Sequence, residues 1–153
     1  MGTVYSVERT NSRATPSVMN NTNQFGGRVR IARGEYTAAS LSADEVIEMF
    51  KLPNGARIIR GELSHAALGS STTLSVGHGA YTTSAGTAVA LDADEFKAAA
   101  ASTGLQIVAI AATVALGRGA TIDADSNGYP VTATLAGAAG TGLVTVTVEY
   151  VLD

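Results

Sequence analysis

Residues 143–151 read Leu143-Val144-Thr145-Val146-Thr147-Val148-Glu149-Tyr150-Val151. Val144, Val146, Val148 and Tyr150 share one parity, and Thr145, Thr147, Glu149 and Val151 the other. Successive side chains of a strand point to opposite faces, so this alternation predicts a β-strand with one apolar face. Val131–Leu135 alternates in the same way, and the two predict a final antiparallel pair. Upstream, Leu105–Leu116 is rich in Ile and Val and predicts a buried strand, and Thr72-Thr73-Leu74-Ser75-Val76 predicts another. Leu91-Asp92-Ala93-Asp94-Glu95-Phe96-Lys97 predicts the opening of a helix: an Asp cap, acids in the first turn, then alanines until Gly104.

Leu41–Leu52 admits two readings. Ser42-Ala43-Asp44-Glu45 fits a capping box ahead of apolar residues. Val46 to Leu52, however, is rich in β-branched and aromatic side chains, and Pro53-Asn54-Gly55 is a turn signal followed at once by Ala56-Arg57-Ile58-Ile59. A hairpin about that turn accounts for more of the pattern. The sum is a mainly β chain: an antiparallel β-sandwich or jelly-roll-like body with one short helix and an extended N-terminal arm.

The arm is residues 1–26, rich in Asn, Ser and Thr with no apolar period, and it is expected to gain order only on assembly. Gly26-Gly27 closes it, and a single domain of residues 27–153 follows, as one core suits a chain of 153 residues. Arg28-Val29-Arg30-Ile31-Ala32 alternates and predicts a half-exposed strand with its arginines on one face. Charge is split: residues 1–62 hold eight basic and six acidic groups, residues 63–153 two and seven.

Chemistry-bearing residues are few. Leu63–Leu91 and Ser126–Val148 contain no Asp, Glu, Lys or Arg, and the chain has no Cys. A nucleic-acid binder carries a basic stripe interleaved with aromatics; here the pI is 5.3 and the arm has only Tyr5 and Phe25. Ala98–Gly117 is uncharged and of bilayer-spanning length, but Ser102, Thr103, Gly104, Gln106 and Thr113 favour a buried helix end followed by a core strand. Asp123-Ala124-Asp125-Ser126-Asn127-Gly128 matches the opening of a calcium loop, yet its twelfth position is Thr134 in place of the bidentate Glu. His65 and His78 have no metal-ligand partner at helical or hairpin spacing, and no serine sits in a nucleophile elbow. These residues predict neither enzyme, cofactor nor metal site, and no nucleic-acid or membrane partner.

The succession Gly26-Gly27-Arg28-Val29-Arg30-Ile31-Ala32, Phe50-Lys51-Leu52-Pro53-Asn54-Gly55-Ala56-Arg57-Ile58 and Leu68-Gly69-Ser70-Ser71-Thr72-Thr73-Leu74-Ser75-Val76-Gly77, with the ending Leu143–Tyr150, resembles capsid cement or decoration proteins of tailed bacteriophages. The resemblance spans residues 26–150. It implies a non-catalytic protein, made in the host cytoplasm, that sits on the capsid surface at capsomer junctions and binds the major capsid protein. It also implies self-association, with a trimer favoured and a dimer as runner-up. The residues expected to meet partners are Val4, Tyr5, Val7, Arg9, Arg13, Val18, Met19 and Phe25 in the arm, and Arg28, Arg30 and Arg33 on the first strand. The alternative reading is a minor head, tail or fibre appendage that binds a host surface or carbohydrate, against which the scarcity of Tyr, Phe and Trp counts.

Overall fold

The computed structural model describes residues 6–19 and 27–152. Helix α1 (Val7–Arg13) precedes ten strands: β1 (Val29–Leu41), β2 (Val46–Leu52), β3 (Arg57–His65), β4 (Thr73–His78), β5 (Tyr81–Thr82), β6 (Ala88–Val89), β7 (Asp92–Ala101), β8 (Gln106–Ile110), β9 (Tyr129–Ala136) and β10 (Gly140–Val151). A 3₁₀ turn at Val114–Leu116 follows β8. The eight longer strands form two antiparallel four-stranded sheets, a front sheet in the order β1-β10-β3-β8 and a back sheet in the order β2-β9-β4-β7. Of the links between successive long strands, only β4–β7 stays within one sheet. Repeated crossing between two four-stranded sheets is jelly-roll topology.

The alternation of β10 is what binds the front sheet to the core. Val144, Val146 and Val148 are fully buried, and the register sets Val146 opposite Leu63 of β3. Facing them from the back sheet are Leu74, Val76, Val131, Ala133 and Leu135, also fully buried. Each buried aliphatic side chain contributes roughly 1.5–3 kcal/mol of transfer free energy, so this layer dominates the stability of the body.

Four expectations are corrected by the topology. Leu91–Gly104 is not a helix but β7, pairing with β4 through Leu74↔Ala100 and Val76↔Lys97. Asp92 does accept a hydrogen bond from the Asp94 N–H at 3.1 Å, as a cap would, but it closes a local Asx turn. The helix propensity of the alanines, high as it is, yields to backbone pairing along β4 and to burial of Phe96. Second, β2 and β3 do not form a hairpin: Pro53-Asn54-Gly55 turns the chain, with Gly55 at φ +81, but carries it from the back sheet to the front. The Asn54 side chain accepts from the Ala124 N–H and ties the corner down. Third, β9 and β10 are both strands, yet they lie in opposite sheets. Fourth, Leu105–Leu116 is not a core strand: Leu105 is 77% and Ile107 64% exposed, and only Ile110 of β8 is fully buried.

The arm holds the described helix. Ser6 caps α1 by accepting from the Arg9 N–H, and the Val18 N–H returns to the Asn11 carbonyl at 3.1 Å, so residues 6–18 form a compact helix-and-turn instead of an extended strap. The expected ordering on assembly otherwise falls on residues 1–5 and 20–26, outside the described residues. No described helix is long and apolar enough to cross a membrane.

Candidate interaction surface

His65, His78 and the Asp123–Gly128 loop make their contacts within the body. His78 is buried beside Tyr81 and Tyr129, with ring centroids 5.2 and 5.1 Å away, and its Nδ1 lies 2.9 Å from the Gly79 carbonyl. Burial pushes the Tyr129 hydroxyl well above the ordinary tyrosine range, so it stays protonated. His65 Nδ1 lies 2.8 Å from the Ala66 carbonyl. In the Asp123–Gly128 loop, Asp123 accepts from the Ser84 N–H, and Asp125 accepts from both the backbone and side chain of Asn127. Those bonds make it a turn feeding β9, in which Thr134 pairs with Val46 and Ser75.

The surface of the front sheet is more informative. In β1 the register places Ala32, Gly34, Tyr36 and Ala38 opposite Val148, Val146, Val144 and Gly142, which is the inward parity. Val29 and Ile31 therefore point outward, 59% and 67% exposed. This inverts the usual sense of an amphipathic strand. The inward parity includes Gly34, where a Cβ would stand 2.6 Å from the Met49 carbonyl oxygen of β2. At Gly34 the two edge strands approach so closely that no side chain fits between them.

Across the outer face, Ile31 stands opposite Glu149, which stands opposite Arg60; next to that row lie Arg33, Thr147, Glu62 and Ala109. Arg60 donates to Glu149 at 2.8 Å and Arg33 to Glu35 at 2.7 Å. The Arg60 hydrogen bond holds the Glu149 carboxyl below the usual carboxylate range, and the same bond raises the guanidinium. Beside this charged band runs a groove of about 440 Å³ lined by Arg60, Glu62, Ile107, Ala109, Arg118 and Thr147. The face thus has an apolar rim on β1, a charged middle and a second apolar rim on β8.

The expected partner-binding residues are spread along this route. Val4, Tyr5 and Phe25 lie outside the described residues. Val7, Arg9 and Arg13 are on α1, where the two arginines are four residues apart and share a helix face. Val18 and Met19 are exposed, Met19 to 91%. Arg28 and Arg30 are exposed at the start of β1 on one parity; Arg33 is on the other, so the three arginines do not share a face. Sequence reasoning missed Val29, Ile31, Leu105 and Ile107. The only available signal was the missing charge around Leu105 and Ile107.

No protein-family sequence profile and no curated protein sequence matches this chain. Solved structures do. One is from the capsid of Ralstonia phage GP4, with a TM-score of 0.63 and 19% identity over 83% of this chain and 86% of that one. Another is from the capsid asymmetric unit of cyanophage Pam1, with a TM-score of 0.63 and 20% identity over the whole of both chains. The chain has the fold of phage capsid components. A third, from the acid-stable capsid of Helicobacter pylori bacteriophage KHP30, matches at a TM-score of 0.52 and 16% identity over 81% and 87% of the two chains. At these identities the likeness is one of fold, carried by the whole body in the second case.

Proposed function

We propose that this protein is a non-enzymatic virion structural protein, a cement that binds the outside of a phage shell at capsomer junctions through its arm and the first strand. The observation that carries the reading is the outward pointing of Val29 and Ile31 on a sheet edge that, among the described residues, pairs with no further strand and continues directly from the arm. Monomeric surfaces scatter apolar side chains singly, whereas contiguous ones mark interaction sites. The fold it shares with capsid chains supports the shell as the partner.

In this reading residues 1–26 act as an arm and residues 27–153 as one body, and the partner is the major capsid protein. Fixing an arm in one conformation costs about 1–2 kcal/mol per residue in backbone entropy. Exposed ion pairs of Arg9, Arg13, Arg28, Arg30 and Arg33 return only about 0–1 kcal/mol each. Most of the affinity must then come from strand addition by the arm and from burying Val4, Tyr5, Val7, Val18, Met19, Phe25, Val29 and Ile31. A threefold arrangement of copies follows from the resemblance alone.

The test is decoration of purified shells that lack the protein, read by co-sedimentation. Deleting residues 1–25 and, separately, Ile31→Glu should each cut binding at least about tenfold. Arg9→Ala with Arg13→Ala should weaken it less, and in a salt-dependent way. Full decoration by both the deletion and Ile31→Glu would refute the reading.

A further inference from the structure

Edge strands of natural sandwiches are guarded against pairing with other chains by charges and by bulges. Three of the four long edges here follow that rule. β1 carries Arg30, Arg33 and Glu35 and a register shift between Ala38 and Leu41. β2 carries Glu48 and Lys51 and shifts between Glu48 and Phe50. β7 carries Asp92, Asp94, Glu95 and Lys97 and shifts twice against β4. β8 has neither device. Gln106-Ile107-Val108-Ala109-Ile110 is uncharged, β-branched and pairs with β3 without a shift. Among the described residues no backbone partner is found on its other side.

The unguarded edge lies in a larger tract. Ala98–Gly117 contains no charged residue, and most of its twenty residues are exposed, including Leu105, Ile107 and Val114 at 77%, 64% and 86%. A standard interface takes about 20–30 residues a side, and the thirteen exposed residues of this tract supply about half of one side. A second copy is the occupant that best fits it. The tract presents no charge to be stripped of water or to repel its twin, and an antiparallel edge-to-edge pair is self-complementary about a twofold axis.

We propose that β8 pairs antiparallel with β8 of a second copy about a twofold axis, joining the two front sheets into one continuous sheet. Ile107 and Ala109, which share the outer parity with Ser64 and Glu62 of β3, then meet their counterparts across the axis. The inference is independent of the capsid reading, and it replaces the threefold expectation with a twofold one.

Sedimentation equilibrium of the full chain from about 1 to 100 μM tests it without any shell present, so its failure would leave shell binding standing. The wild type should be dimeric. Ile107→Lys with Ala109→Lys places like charges across the axis and should raise the dissociation constant about a hundredfold or more. Ile31→Lys, on the opposite edge, should leave the dimer intact. If the double variant misfolds, Ala109→Lys alone, at an exposed alanine, serves the same purpose. A trimer, or a dimer indifferent to the β8 variants, overturns the proposal. So does a monomer, whether its tract then binds phosphatidylcholine vesicles in flotation or only shells.

Discussion

The 3₁₀ turn after β8 packs on Phe96 through a contact whose strength can be worked out in advance. Gly117 ends the 3₁₀ turn in the left-handed region at φ +79, and a Cβ there would stand 2.8 and 2.9 Å from two ring carbons of Phe96. Phe96 cannot retreat: it is 2% exposed, with its ring centroid 6.1 Å from that of Tyr129. Gly117→Ala therefore carries two separable costs. The left-handed backbone costs an alanine about 1–2 kcal/mol, and overpacking against the ring adds about 1–3 kcal/mol. Phe96→Ala alone should cost about 3–5 kcal/mol, and it removes the atoms with which the new methyl collides. In that background Gly117→Ala should cost only the backbone share. Urea unfolding of the wild type, both single variants and the double variant closes the cycle. The expected coupling is about 1–3 kcal/mol, with the double variant more stable than the sum of the singles predicts. Additivity within about 0.5 kcal/mol would refute the packing of this turn on Phe96.

Two further outcomes follow from polar groups of opposite fortunes. Thr132 is 2% exposed and its hydroxyl has no hydrogen-bond partner among the described residues, so Thr132→Val should raise stability by about 1 kcal/mol and Tm by about 2–4 °C. Thr72→Val should do the reverse, because that hydroxyl donates to the Gly69 carbonyl and accepts from Ser102, each at 2.9 Å; calorimetry of both variants decides the matter. Glu149 has a carboxyl depressed by Arg60, so its contribution is fully present above the unfolded glutamate value of about 4.3 and is lost as pH falls through its lower folded value. Glu149→Gln should flatten the fall of Tm in that acid window; an unchanged profile would show that the ion pair does not matter.

How much of this was legible in the sequence depends on what each residue has to announce. The alternation of β10 was readable because the strand lies inside its sheet with one face wholly in the core. β7 was not, because alanine fits a helix or a strand equally well in size, and what decided its state was backbone pairing along β4, a non-local fact. Pro53-Asn54-Gly55 announced a reversal of direction but could not announce whether the chain would return along the same sheet or cross to the other. On β1 the alternating pattern was visible and its polarity was misread. The apolar members would normally face the core, but the register with β10 puts Gly34, which packs on Met49, on the inward parity, and Val29 and Ile31 take the outside. Missing charge in Ala98–Gly117 was read as burial within the chain, although burial between chains leaves the same trace.

The order of the front sheet gives these surfaces a common logic. β1 and β8 are its opposite edges, with β10 and β3 between them, so a contact at one edge does not occupy the other. The intervening strip is polar, with Arg60 of β3 paired to Glu149 of β10, and Arg33 pairs with Glu35 on β1 beside it, which keeps the two apolar rims from merging into one adhesive face. If β1 and the arm hold a shell and β8 holds a second copy, as proposed, each dimer presents two shell-binding edges at a spacing fixed by one continuous sheet. A second attachment then becomes intramolecular, and avidity can exceed the single-site affinity by about 10²–10⁴ without any new contact. That gain arises only where two shell sites match the span between the β1 edges. A rigid dimer would thus select its place by distance, which a body with so little charge and so few polar anchors cannot do by local recognition alone.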